Sequence, residues 1–478
     1  MLFPTIDFAI FFAVVFVANW LLAPFRTPWK LMMITASYVF YAWFDWRDIF
    51  LLAACTLITA AAGRLIHASA TDARRRLVLG LGVGGELAML VWFKYAQFFT
   101  LSGDNVLRAF GVHGQPVPII AAVEPVGLSF YAFMAISYMA DIYRRTLEPA
   151  PLLNVATFLS FFPHLAAGPI VRGSELLPQL ARAEQRDPRH IDLPQATYLI
   201  FAGLFKKVVI SSYVSAAIVD PVYNSPSVHS APEILLATYA YAVQIYMDFS
   251  GYTDIAIGCA LLLGFQFPQN FDAPYTARSL QDFWRRWHIT LSLWLRDYLY
   301  VPLGGSRGSR RTLYRNLMLT MVLGGLWHGA GWTFIAWGAL HGAGQCVGHW
   351  RRSRRVAQGL PAQADGRLAV AWQRFATFQF VCLGWLFFRA GNFSIAFTLL
   401  RRLVTDWSGP APLVRLPVVL AVVGALALQY LPRDLPRAVQ AGFSRLGTVA
   451  KGLALGAAML VITTLGPIGV APFIYFRF

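Results

Sequence analysis

The sequence predicts an all-α, polytopic membrane protein, and three observations carry that prediction. Hydrophobic residues fill 57% of the 478 positions and charged residues only 13%, where a soluble domain is about a quarter charged. The apolar residues gather in long runs, such as Ile10 to Leu22, Leu77 to Trp92 and Leu416 to Tyr430. A bilayer-crossing helix takes about 20 mostly apolar residues, a rule that allows about ten such stretches here. The basic residues then fall in short clusters between the runs, at Arg74 to Arg76, Arg307 to Arg315 and Arg351 to Arg355. Cytoplasmic loops that orient a membrane protein have this pattern.

The net charge of +17 therefore argues for orientation in a membrane and against a nucleic-acid groove, which would collect its cations on one soluble face. Cys55, Cys259, Cys346 and Cys382 sit in apolar surroundings without paired spacing. They read as small buried hydrophobes, with no disulfide or metal framework. Asp7 is the only charge before Arg26, so the first segment lacks the basic start of a cleavable signal and is expected to remain as a transmembrane helix.

Taken in order, the loops set a topology. Arg26 and Lys30 follow the first helix, Arg64 and Arg74 to Arg76 close the third (near Ile49 to Ile66), and Arg144 and Arg145 follow the fifth (near Val126 to Tyr143). The alternate loops, around Asp45 to Asp48 and Ser102 to Pro118, are poorer in cations, which puts the N-terminus outside and Arg144–Arg145 in the cytoplasm. Residues 154–171, NVATFLSFFPHLAAGPIV, are apolar but short and interrupted by Pro163 and Gly168–Pro169, with a basic stretch (Arg172, Arg182, Arg186, Arg189) after them. A re-entrant element fits, and broken backbone at membrane depth implies a lined cavity. Residues 192–218 and 231–264 read as long helices. Residues 278–302, RSLQDFWRRWHITLSLWLRDYLYVP, read as an interfacial amphipathic helix rich in Trp and Arg. After the turn GGSRGSRR, a helix is expected to start near Leu317 and to run through GGLWHGAGW, and further helices follow near 371–388, 416–431 and 452–466. No internal repeat of the transporter kind is visible.

Among the histidines, His67, His113, His190, His229 and His349 fall in loops or at helix ends, and His164 lies beside a proline in the re-entrant element. His328 lies deep in the apolar run LTMVLGGLWHGAGWTF. An ionisable residue at such a depth faces a cavity or a bundle interior. The small residues Gly324, Gly325, Gly329, Ala330 and Gly331 beside it would let a substrate, or another backbone, come close. Packing and chemistry both remain open for it on this ground. His288, in WRRWH, reads alone as an interfacial anchor, and His341 as a packing residue. Asp248 and Asp254, in QIYMDFSGYTD, are carboxylates inside an apolar helix and require partners, Arg or His being the expected ones. They are expected to form structural ion pairs that can still shape a site. No zinc-type cluster, Walker loop or serine elbow appears. Glu86, Lys94, Asp141, Lys206 and Lys207 are too scattered for the connected chain of a proton-coupled pump.

Several blocks in order carry a family resemblance: PVGLSFYAFMAISYMADIYR (125–144), FLSFFPHLAAGPIVR (158–172), QIYMDFSGYTDIAIGCALLLGFQFPQNFDAPY (244–275), SLQDFWRRWHITLSLWLRDYLYVPLGG (279–305), GGLWHGAGWTFIAWGALHG (324–342) and, more weakly, CLGWLFFRA (382–390). On these the chain resembles the membrane-bound O-acyltransferases, in the bacterial branch of alginate O-acetylation and D-alanyl transfer to teichoic acid. Residues 1–124 and the last eighty or so match in hydropathy more than in motif. The resemblance implies one domain over 1–478, with a motif-rich core at 125–390 between N-terminal and C-terminal helices. It implies a ring of transmembrane helices, with re-entrant and interfacial helices, around a central funnel. It puts the family's catalytic histidine on His328 and its second characteristic histidine on His288. Trp284, Arg285, Arg286 and Trp287, with Trp327, Asp248 and Asp254, become candidate substrate- or donor-binding residues; for the two arginines, anchoring to anionic lipid is the competing role. Acetyl-CoA is implied as the acyl-donor substrate, with no resident cofactor or metal, and an exopolysaccharide such as alginate as the polymer. The long MDFSGYTD-to-PLGG block favours acetyl over D-alanyl transfer. No segment reads as a soluble domain able to grip a polymer, so a relay through periplasmic acetylation subunits at the bacterial inner membrane is expected. A flippase for lipid-linked sugars and a structural subunit of an export complex are the rival readings.

Overall fold

Helices make the whole architecture in the computed structural model, which describes residues 1–112, 117–120, 122–166, 168–466 and 473; among these there is no β-strand. His113 and Ala167 lie outside the described residues. Among the described residues, four helices are long and apolar enough to cross a membrane by themselves: Asp48–Ala68, Asp72–Ala109, Leu193–Asn224 and Thr448–Leu465. Leu416–Tyr430 and Leu435–Arg445, bent by 91° at a short break, make a fifth if taken together, and Ile6–Leu22 is a shorter apolar helix. Other apolar helices fall short of that length and composition. Leu128–Tyr143 has only 16 residues, and Arg310–His328 begins with a cluster of arginines.

The chain divides into two units, Met1–Ala196 with Ala256–Pro268, and Thr197–Ile255 with Gln269–Phe478. In the first, Leu128–Tyr143 is buried along nearly its whole length. Glycines in two neighbouring helices let it sit close: a Cβ on Gly63 would lie 2.9 Å from the Tyr138 ring and one on Gly82 2.7 Å from the Met139 sulfur. The stretch 154–171 is broken, as its prolines suggest, into Leu152–Ser160 and Phe162–Leu165, neither long enough to span. His164 is packed there, stacked on Phe267 at 5.3 Å with Nε2 2.9 Å from the Phe158 carbonyl oxygen. Arg186 is held in a cage, donating to Asn19 and to the Leu263 carbonyl between the rings of Trp29 and Phe265.

The second unit departs from expectation in three places. Residues 278–302 are not one amphipathic helix. They form Leu280–Trp284, a turn, Ile289–Leu295 and a π-helical turn Arg296–Tyr300. The break is at His288, whose φ of 42° is left-handed and cannot continue a right-handed helix. The next helix starts at Arg310, where Ser309 caps it by accepting from the Thr312 N–H, and it stops at His328 instead of running through GGLWHGAGW. Gly329 and Gly331 are extended, and the chain re-enters a helix at Trp332.

Finally, the partners of the two helical aspartates are lysines, not Arg or His. Lys207 pairs with Asp248, and Lys206 Nζ lies 2.5 Å from Asp254. The aspartates are six positions apart, about 9 Å along an α-helix. Lys206 and Lys207 fall in the π-helical stretch Phe205–Ser211. The two backbones meet there: a Cβ on Gly203 would lie 2.5 Å from the Gly251 carbonyl oxygen, and one on Gly251 2.7 Å from that of Gly203. Such proximity puts adjacent lysines in reach of carboxylates on different turns of Ala231–Leu262.

Candidate active site

His328 is the last residue of Arg310–His328, and it is 3% exposed. The tight hairpin with Trp332–Ala357 follows from small residues: a Cβ on Gly325 would meet the Phe334 carbonyl oxygen, and one on Gly338 that of Met321. A Cβ on Gly329 would strike the Phe334 ring. The glycines around the histidine therefore serve helix-to-helix approach. Three rings surround the imidazole, Trp327 at 5.0 Å, Trp337 at 5.1 Å and Phe388 at 5.3 Å, with planes at 76°, 87° and 69° to it. Edge-to-face walls on several sides fix its plane.

His288 is held differently. It is wholly buried and caps Ile289–Leu295, with Nδ1 accepting the Leu291 N–H at 3.3 Å. An accepting Nδ1 carries no proton, so the neutral ring bears its proton on Nε2. The turn is clamped by Asn270: its carbonyl accepts the Ile289 N–H at 2.9 Å and its Oδ1 accepts the Thr290 N–H at 3.1 Å and hydroxyl at 2.9 Å. His288 lies in this turn, outside the membrane-spanning helices, and burial pushes its pKa down to about 3.

The two histidines share one neighbour. The Trp327 ring centroid is 6.1 Å from that of His288 and 5.0 Å from that of His328. Phe249, next to Asp248 in the chain, packs edge-on against His288 at 4.6 Å, and also against Phe473 at 5.6 Å. Asp248 and Asp254 themselves are taken up by the lysine pairs. Trp287 is buried in a stack with Phe283 and Tyr275, 5.0 Å from Trp385. Trp284 packs on Trp337 at 5.7 Å and on His341 at 5.4 Å, and it also walls a cavity of about 350 Å³ with Arg285, Ser292, Arg296 and Thr320. Arg285 and Arg286, adjacent in the chain, face different spaces. Arg285 lines this cavity and one of about 510 Å³, whereas Arg286 lines one of about 830 Å³ and bonds Asp282 at 2.7 Å.

Asn270, Trp337 and Phe388 are parts of the site that residue-type reasoning does not single out. Two are ordinary core aromatics by composition. Asn270, in FPQNFD, is distinguished by being a wholly buried amide. Among the described residues, no group of three or more His, Cys, Asp or Glu side chains could hold a metal ion.

A family model for membrane-bound O-acyltransferases matches residues 86–388. The chain belongs to the membrane-bound O-acyltransferase family. The match spans both histidines, and it makes this protein a multi-pass membrane enzyme, setting aside the flippase and structural-subunit readings. The acyltransferase is 40% identical to the probable alginate O-acetylase AlgI of Azotobacter vinelandii, over 85% of this chain and 79% of that protein. It is 36% identical to the Pseudomonas putida protein of the same name over 94% of each chain. A peptidoglycan O-acetyltransferase of Helicobacter pylori is 36% identical over 78% of this chain and 73% of its own length. A teichoic acid D-alanyltransferase of Streptococcus thermophilus is 27% identical over 55% of this acyltransferase and 68% of its own length.

Proposed function

We propose that this O-acyltransferase moves acetyl groups from acetyl-CoA toward O-acetylation of an exopolysaccharide of the alginate type, with His328 as the general base. The carrying observation is the shared Trp327, which brings a wall-held His328 and a backbone-held His288 to one place. In the reaction, the acceptor hydroxyl oxygen attacks the thioester carbonyl as His328 takes its proton. The carbon–sulfur bond then breaks, and the thiolate leaves with that proton. Positioned base catalysis of this kind contributes about 10²–10⁴ in rate. His288, Trp284, Trp287 and Arg285 form the donor-side wall in this reading, and Trp327 aligns the two imidazoles. The relatives named for alginate and peptidoglycan O-acetylation support acetyl over D-alanyl transfer, since the D-alanyl relative matches less of the chain at lower identity.

In this reading the protein lies in the bacterial inner membrane with its N-terminus outside. Acetyl-CoA enters from the cytoplasm, and periplasmic acetylation subunits receive the acyl group. Purified protein given labelled acetyl-CoA and a hydroxyl acceptor should release CoA, and His328→Ala should stop that release. Undiminished turnover by a stably inserted His328→Ala protein would end the base assignment. Turnover with a D-alanyl thioester alone would replace the donor.

A further inference from the structure

Two helices of the second unit, Trp332–Ala357 and Arg367–Arg389, border a groove of about 610 Å³ whose two ends differ in character. On the first helix the lining residues stand four apart in two rows, Leu340, Gly344, Gly348 and Arg352 in one, Val347, Arg351 and Arg355 in the other. Rows of that spacing form a single helix face. Along this face apolar and small residues give way to arginines. Trp372 and Phe380 stand on the second helix opposite. From Leu340 to Arg352 the face runs about 18 Å, close to the depth of one leaflet of a bilayer core, about 15 Å.

The charge at the basic end is both unanswered and within reach. No carboxylate lines the groove among the described residues. Arg278, at the same end, pairs with Asp365 at 3.3 Å, and Arg355 donates from Nε to the Pro361 carbonyl at 2.9 Å. Arg351 and Arg352 have neither an ion pair nor a hydrogen bond among the described residues. Arg351 is exposed and Arg352 half-buried, so a ligand can meet both. The apolar end is open as well, with Val347 48% and Trp372 66% exposed. In a membrane protein such side chains meet acyl chains, and a tryptophan sits at headgroup level. Gly344 is explained by packing, since a Cβ there would strike Leu280 and Phe380. At Gly348 a Cβ would meet nothing within 4 Å, so the face stays open beside the arginines.

We propose that this groove holds one anionic phospholipid, with its phosphate on Arg351 and Arg352 and an acyl chain along Leu340, Val347 and Phe380. The planar guanidinium matches phosphate oxygens in pairs, and basic pockets between membrane helices take such headgroups. The apolar half is what selects a lipid over a soluble phosphate, which would leave that half uncovered. The site goes beyond acyl transfer, and it depends on neither the acyl donor nor His328.

The test uses the full chain in nanodiscs of phosphatidylcholine with phosphatidylglycerol as the minor lipid. Lipid retained on release is read by native mass spectrometry. The unaltered chain should retain phosphatidylglycerol in preference to phosphatidylcholine. Arg351→Gln combined with Arg352→Gln removes the unanswered charge and should lower that retention by about tenfold. Gly348→Leu fills the open face without altering charge and should lower it too. Arg354→Gln removes a neighbouring charge that lies over the Trp350 ring at 5.6 Å, outside the groove, and should leave retention unchanged. No preference in the unaltered chain, or full retention by either folded groove variant, overturns the proposal. So does an equal loss in Arg354→Gln, which would mean diffuse charge, or equally tight capture of soluble glycerol phosphate, which has no chains. His328→Ala should lose turnover and keep the lipid, so the two readings fail separately.

Discussion

His328 and His288 touch the same indole, yet they are held by different physics. His328 ends a helix and is fixed by side chains, three rings standing edge-on to it. His288 is fixed by backbone, in a left-handed conformation that a β-carbon disfavours, with its ring nitrogen spent on a helix cap. The first arrangement sets the plane of an imidazole within a rigid wall. The second commits one nitrogen to structure and directs the other. In the proposed reaction His328 transfers the proton and His288 positions, and each role can be broken at its own point.

The largest effect is expected from His328→Ala: a loss of about 10²–10⁴ in acetyl transfer, with abundance and melting temperature near those of the unaltered protein. A variant that instead disappears from the membrane would make His328 a packing residue. Next comes Asp248→Ala, which leaves the Lys207 ammonium buried without its carboxylate and costs about 3–5 kcal/mol. Because Phe249 follows Asp248 and packs on His288, activity and thermal stability should fall together, whereas Asp248→Asn should retain part of both.

A smaller effect separates the two jobs of His288. His288→Ala removes a helix cap, at about 0.5–2 kcal/mol, and leaves an alanine in a left-handed position. His288→Asn keeps a capping oxygen and tolerates that backbone. If positioning is the role, Asn should restore stability while turnover stays low; full recovery of turnover would reduce His288 to a cap.

The last effect concerns pH. The His288 pKa is pushed down to about 3 when folded, against about 6.5 in an unfolded chain. The unfolded state therefore binds an extra proton between those values, and stability should fall as pH drops below 6.5, by at most about 1.4 kcal/mol per pH unit from this group. Melting curves of His288→Asn should be flatter over that window. An identical slope would mean that His288 is not buried neutral.

The legible part of the site was the part with a motif. WRRWH and LWHGA, read as blocks, named both histidines, and QIYMDFSGYTD named the aspartates. The lysines that answer those aspartates were legible only as an unexplained Lys206–Lys207 pair. Their reach depends on a π-helical stretch and on backbones meeting at Gly203 and Gly251. The same holds for 278–302: its amphipathic spacing is real, but a left-handed residue in the middle leaves no mark on hydrophobic periodicity. Asn270 carries no pattern at all, because what sets it apart is burial and the hydrogen bonds it accepts.

By itself, then, the sequence determined that this protein is helical, membrane-embedded and a member of an acyltransferase family, since long apolar runs and ordered motifs are properties of the chain as written. Only the tertiary structure decided that one indole joins two histidines and that adjacent arginines face separate cavities. Those facts depend on which side chains meet across elements distant in sequence, and they are fixed by packing and by the direction of hydrogen bonds.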